Sequence, residues 1–158
     1  HVFATNLNPN VAAPQGTTDS IPATPQLHGS DTSLSSKGGP IGFTLNGVNI
    51  YSCFGGSRYG ACTDWASSAV QHEGDSFDSC GGHAAMAGSY HYHITPACLA
   101  SQQGYEIGTK SPQIGWAHDG FPVMGPIGPS GTGRFTPPFV PLLLVKPKPL
   151  SVCPQLNP

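Results

Sequence analysis

His91 and His93 stand one residue apart in the stretch Gly88-Ser89-Tyr90-His91-Tyr92-His93-Ile94-Thr95-Pro96. In an extended strand, residues i and i+2 point to the same face. The two imidazoles would then lie side by side, with Tyr90 and Tyr92 on the opposite face. Two neutral imidazoles so placed can hold one metal ion. A half-buried strand whose histidines only make hydrogen bonds has the same spacing. His83 precedes the pair, within Cys80-Gly81-Gly82-His83. His83, His91 and His93 would offer three nitrogens, leaving a fourth position for water, His118 or a carboxylate. Zinc or copper suits such ligands best.

Other residues carry weaker signals. A true N-terminal histidine can bind copper through its amine and imidazole with a second histidine, as copper oxygenases acting on polysaccharides do. His1 would need to be the mature end, whereas an N-terminal His more often marks where a chain was cut. Asp75 and Asp78 are close in sequence, but paired loop carboxylates are more often turn or calcium residues than acid/base machinery. The chain has no G-x-S-x-G elbow, HExxH or P-loop. Its tyrosines, Trp65 and Trp116 would suit a sugar-binding platform, although core packing explains most of them equally well.

Two similar hairpins are predicted to hold this site. In Pro40-Ile-Gly-Phe-Thr-Leu-Asn-Gly-Val-Asn-Ile50, alternating residues lead into Asn46-Gly47, a strong hairpin signal. The pattern returns in Ile114-Gly-Trp-Ala-His-Asp-Gly-Phe-Pro-Val123, with Asp119-Gly120 at the turn. The shared form is I-G-aromatic-x-x-(N/D)-G-apolar-x-(I/V). Ile41, Phe43 and Leu45 should face the core, as should Ile114 and Trp116. His118 takes the place of Leu45 and is therefore expected to point inward. Asp119 sits where a turn former is ordinary. Between the hairpins, Ala61 to Glu73 reads as a helix ended by Gly74. Residues 1–39 read as an extended arm, 40–136 as the domain and 137–158 as a Pro-rich tail, in which Leu142 to Val145 would form at most an edge strand.

Composition narrows the class. Charged residues are 9% of the chain, against about 25% in ordinary globular proteins. The net charge is -2 and no Lys/Arg cluster exists, so neither nucleic acid nor an anionic membrane is an expected partner. No stretch is long enough to span a membrane. With 21 glycines and 17 prolines in 158 residues, the expected fold is a loop-rich, all-β sandwich or barrel. None of Cys53, Cys62, Cys80, Cys98 and Cys153 forms a CxxC pair, so disulfides in an oxidising compartment fit better than a thiolate zinc site. Proximity pairs Cys53 with Cys62 and Cys80 with Cys98, one of three connectivities open to four cysteines. Cys153 is left free or available to another chain. The chain opens at His1 without Met, which points to a processed end.

Phe77-Asp-Ser-Cys-Gly-Gly-His-Ala-Ala-Met-Ala-Gly-Ser-Tyr-His-Tyr-His93, followed by Gln113-Ile-Gly-Trp-Ala-His-Asp-Gly-Phe-Pro-Val-Met-Gly-Pro126, resembles the YHYH domain family. Asn8-Pro-Asn-Val-Ala-Ala-Pro-Gln15 and Gly39-Pro-Ile-Gly-Phe-Thr-Leu-Asn-Gly-Val-Asn-Ile-Tyr51 also look like it. The resemblance runs from about His1 to Pro126. It implies a secreted domain without an established activity. Its motif maps onto Asp78, Cys80, Gly82, His83, Tyr90, His91, Tyr92, His93, Cys98, Asp119 and Gly120. Where the family looks like GYALDGFPIYGP, this chain has His118 for an aliphatic residue and Met124 for a tyrosine.

These readings converge on a secreted, disulfide-stapled β domain that binds copper or zinc through His83, His91, His93 and His118. Asp78, Asp119, Tyr90 and Tyr92 are the candidate residues behind the ligands. The domain would act as a structural or binding module, self-associating through its arms into a filament or other oligomer, or meeting an extracellular polysaccharide. The competing reading is an extracellular metalloenzyme, an oxidoreductase before a hydrolase. The fourth coordination position separates the two, because a closed site argues for structure and an open one for catalysis.

Overall fold

A computed structural model describes residues 8–30, 38–55, 68–106 and 108–128, without the side chains of Gln71 and His72. Six strands form one sheet: β1 (Pro40–Thr44), β2 (Asn49–Tyr51), β3 (Gly82–Ala84), β4 (Tyr90–Tyr92), β5 (Gln113–Ala117) and β6 (Pro122–Met124). Their order across the sheet is β3-β4-β2-β1-β5-β6. Only the β2–β4 pairing is parallel. Two short helices, α1 (Ala69–Glu73) and α2 (Ala97–Gln102), complete the described elements with single 3-10 turns at Gly74–Ser76 and Met86–Gly88. The helix expected from Ala61 is present from Ala69, and residues 61–67 lie outside the described residues. The α-helix ends at Glu73, immediately before Gly74 as expected, and a 3-10 turn follows.

The repeated hairpin motif is an internal two-fold in three dimensions. Phe43 pairs with Trp116 at the centre, flanked by Gly42 with Ala117 and Thr44 with Gly115. Hydrogen bonds occur in matching pairs: Leu45 N–H donates to Ile114 O and His118 N–H to Ile41 O, at 2.9 and 3.0 Å. Within each turn, Gly47 N–H donates to Thr44 O and Gly120 N–H to Ala117 O. Both turn glycines have positive φ, 79° and 89°, while Asn46 and Asp119 do not, so each loop is a four-residue turn, 44–47 and 117–120, closed by a left-handed glycine rather than a two-residue I′ turn. Sequence similarity here reports one local solution used twice.

The register also explains why alternation misplaced some side chains. Each hairpin carries a shift just before its glycine, between Pro40 and Gly42 and between Gln113 and Gly115. Such a shift changes which residues face the core. Ile114 is fully buried and Ala117 packs on the same cluster, as does Ile41. Phe43 and Trp116 are only half-buried, and Leu45 is exposed. His118, predicted to point inward, is 39% exposed beside Asp19. The core proper is Ile50, Leu99, Ala100, Ile114 and Val123, with Tyr105 against it. It joins equivalent positions of both hairpins to α2.

Residues 8–30 form no helix or strand and lie against the domain. Ala13 N–H donates to Gly88 O at 2.9 Å and Asn10 Nδ2–H to Ala84 O at 3.1 Å. Further along, Pro22 O would lie 2.5 Å from a Cβ on Gly120. Residues 10–25 are therefore not a free strand donor. The tail after 128, with Leu142 to Val145 and Cys153, lies outside the described residues.

Cys80 and Cys98 form a disulfide. Cys53 is a free thiol, so the expected Cys53–Cys62 bridge is not made; Cys62 lies outside the described residues. The Cys53 segment is instead held by backbone, through Ala69 N–H to Cys53 O at 2.9 Å and the Phe54–Ser68 bridge.

Gly42 and Gly115 sit where β1 and β5 approach most closely. A Cβ on Gly115 would lie 2.3 Å from Phe43 O, and one on Gly42 2.3 Å from Trp116 O. Gly115→Ala is expected to destabilise the fold by about 1–3 kcal/mol, the usual range for overpacking against atoms that cannot yield. Gly29→Ala, with nothing within 4 Å of its Cβ, should be near neutral. Chemical denaturation of both variants checks this.

Candidate metal centre

Cross-strand pairing gathers the histidines. His83 on β3 pairs with His91 on β4, and His91 pairs in turn with Asn49 on β2. His93 follows one residue beyond the end of β4. These residues occupy the sheet face opposite Ile50 and Tyr92. His83, His91 and His93 are 8%, 3% and 4% exposed. Their Nε2 atoms meet, His91 being 3.0 Å from His83 and 3.1 Å from His93.

A fourth donor completes the group. Glu73, the last residue of α1, places Oε2 3.2 Å from His83 Nε2 and 3.6 Å from His93 Nε2. All four donor atoms lie within 4.8 Å of one another. Metal–ligand bonds of about 2.0–2.1 Å put tetrahedral donors roughly 3.3–3.4 Å apart. Four of the six donor pairs, at 3.0–3.6 Å, bracket that spacing, and the remaining two lie within 4.8 Å.

The outer nitrogens decide the tautomers. His91 Nδ1 is 3.0 Å from Ser89 O, and His93 Nδ1 is 2.7 Å from Ser52 O. Carbonyls only accept, so both Nδ1 atoms carry the hydrogen. His83 Nδ1 lies 2.6 Å from Ser76 Oγ, whose own proton goes to Glu73 O. His83 Nδ1 must therefore donate as well. With its ring neutral, each Nε2 is a bare lone pair; with its ring protonated, the Nε2 of His83 or His93 donates to Glu73 Oε2. Two bare Nε2 atoms at 3.0 Å cannot hydrogen-bond to each other. A proton can bridge one pair of them; a cation bonded to all four satisfies them together.

Electrostatics follow from burial. Burial above all, and then the neighbouring His83 and His93 rings, pushes His91 down to about 4. Burial acts to raise the Glu73 carboxyl, but contact with His83 and His93 outweighs it and holds the group well below the usual carboxylate range. Aromatic rings wall the cluster: Tyr51 stacks on His91 at 3.9 Å between centroids, and Phe77 meets His83 edge-on at 4.9 Å.

The motif residues around the histidines build the site. Asp78 Oδ1 accepts from Cys80 N–H and Gly82 N–H, at 2.8 and 3.2 Å, while Oδ2 accepts from Tyr90 Oη–H at 2.6 Å. Burial and the adjacent Asp78 keep that phenol protonated. The Tyr90 ring lies over Gly82, where any Cβ would come within 2.4 Å of its hydroxyl. Asp78 and Tyr90 thus fix the strand that presents His83 without touching the donor atoms. Tyr92 is buried on the other face. Gly55 leaves room for Glu73, since a Cβ there would lie 2.8 Å from Oε1.

Two expected site residues are elsewhere. His118 Nε2 is 3.6 Å from Asp19 Oδ1 near the second turn. Asp119 is exposed and accepts from Phe121 N–H within that turn. Both follow β5, four strands across the sheet from β3. His1 lies outside the described residues. Glu73 was not foreseen; its only signal is a carboxylate closing the helix candidate ten residues before His83.

A family model described as YHYH protein matches residues 18–133. No curated protein and no solved structure matches the chain.

Because the His91 pKa is lowered on folding, the unfolded chain binds a proton there that the native chain does not between about pH 6.5 and 4. Stability of the metal-free protein should therefore fall as pH drops through that window, with a slope approaching about 1.4 kcal/mol per pH unit for one proton. Urea midpoints across the window measure it; a midpoint flat from pH 6.5 to 4 would contradict the burial of a neutral His91.

Proposed function

Given that the chain belongs to the YHYH protein family, we propose that it is a secreted, disulfide-stapled β domain whose His83, His91, His93 and Glu73 hold one zinc or copper(II) ion in a closed site. The observation that carries this reading is the clustering of three buried Nε2 atoms and one carboxylate oxygen within 4.8 Å of one another. Each ring is fastened from behind by a carbonyl or hydroxyl, the arrangement that orients metal-bound histidines. The Cys80–Cys98 disulfide suits an oxidising, extracellular setting. With four protein donors, the ion has no position left for substrate, which favours a structural role. Assembly with other copies would then fall to the segments beyond the docked N-terminal arm, the Pro-rich tail foremost.

One observation favours oxidative chemistry instead. Tyr51 stacks on His91, so a copper ion would have a phenol ring beside its ligand. In that reading Glu73 would have to yield its position to oxygen or substrate. Azide titration of the copper form separates the two: a closed centre shows no new charge-transfer absorption, and an open one does.

Elemental analysis of protein from its native source should find near-stoichiometric zinc or copper, lost in the His91→Ala/His93→Ala double variant. Absence of metal from the native protein, with the fold intact, would overturn the assignment. Ser76→Ala should weaken metal affinity by about 10–100-fold, as expected for loss of a group that orients a ligand. Competition with a metal indicator reads that change.

A further inference from the structure

Resting on the metal-centre reading above, we propose that the Cys80–Cys98 disulfide governs metal retention: the oxidised chain holds the ion and the reduced chain releases it. His83, His91 and His93 all lie inside the loop that this disulfide closes, across a sequence separation of 18. Among the described residues, β3, which carries His83, is a three-residue strand at the edge of the sheet, paired to β4 alone. Pairing of that length is marginal by itself. The disulfide ties the turn before β3 to Cys98 on α2, a helix whose Leu99 and Ala100 are in the core. The same junction carries Ala97 N–H to Cys80 O at 3.1 Å and Cys80 N–H to Asp78 Oδ1 at 2.8 Å. The sulfur bridge thus joins β3 to α2, beside the pairing with β4, the Asp78–Tyr90 clamp and the Asn10 bond to Ala84 O.

The ion would fasten the same strand by a second route, joining His83 to β4 and to Glu73 on α1. Two fasteners on one edge strand must be coupled, and the coupling is reciprocal. Reduction adds two electrons and two protons and gives two thiols. It loosens β3, withdraws His83 and weakens the site. Conversely, a bound ion holds the two sulfurs in register and opposes reduction. A tenfold difference in affinity between the two states corresponds to a shift of about 30 mV in the disulfide's potential. The domain would therefore load after reaching an oxidising compartment and give up its metal to a reducing one.

The test uses the full chain and zinc alone. Oxidised protein, with zinc content measured beforehand, is treated with a water-soluble phosphine, which becomes the phosphine oxide as water supplies the oxygen. Alkylation and mass spectrometry then follow the peptides bearing Cys80 and Cys98. Saturating zinc should slow their reduction at least tenfold in the native chain and not at all in His91→Ala/His93→Ala. In parallel, Cys80→Ala/Cys98→Ala should bind zinc at least tenfold more weakly while keeping its circular dichroism. Equal reduction rates with and without zinc, in protein shown to contain it, would overturn the coupling and leave the metal centre standing. Failure of the oxidised chain to take up zinc or copper would remove the centre itself, and the coupling with it.

Discussion

Three buried imidazole nitrogens and a carboxylate oxygen lie within 4.8 Å of one another, with neighbours 3.0–3.6 Å apart. Bringing like partial charges together out of water is costly unless a positive charge sits among them. The surrounding structure reads as the set of restraints that hold this arrangement. The rings cannot turn away, because Ser76, Ser89 and Ser52 fix their outer nitrogens. The strands cannot slide, because a one-residue slip would carry His83 or His91 to the opposite face. Gly55 leaves the space that Glu73 occupies, because a Cβ there would lie 2.8 Å from Oε1.

The family motif acquires a physical meaning in this light. In Cys-Gly-Gly-His, the first residue is sulfur-bonded to α2, the next lies against Ile94, the third leaves room for the Tyr90 ring and the fourth is a donor. In Tyr-His-Tyr-His, the first tyrosine clamps Asp78, the second is buried on the core face, and both histidines point the other way. Asp78 links the two motifs by accepting from backbone and phenol at once.

Much of this was legible in the residues. The i, i+2 spacing placed His91 and His93 together, and Asn46-Gly47 and Asp119-Gly120 announced both turns. Short-range patterns of this kind depend on local backbone geometry, which sequence encodes directly. His118 and Phe43 were misassigned because alternation assumes an unbroken pleat, and a single register shift before Gly42 and Gly115 changes its phase. Glu73 escaped because its role depends on how α1 approaches β3, a tertiary fact with no periodic signature. Cys53 was paired by closeness along the chain, whereas backbone bonds to Ala69 hold that segment.

The two-fold relation between the hairpins divides the molecule into halves under unequal chemical demand. β2 accepts the histidine-bearing β4 along its outer side, and its Tyr51 stacks on a donor ring. β6, its counterpart, is a sheet edge among the described residues, and Met124 occupies the place equivalent to Tyr51. Both departures from the pattern expected of the family, His118 and Met124, fall in this second half. A substitution in the second hairpin therefore meets only its own turn and the shared core, whereas one in the first also moves the strand on which the histidine-bearing β4 is laid. Equal geometry thus carries unequal leverage over the site.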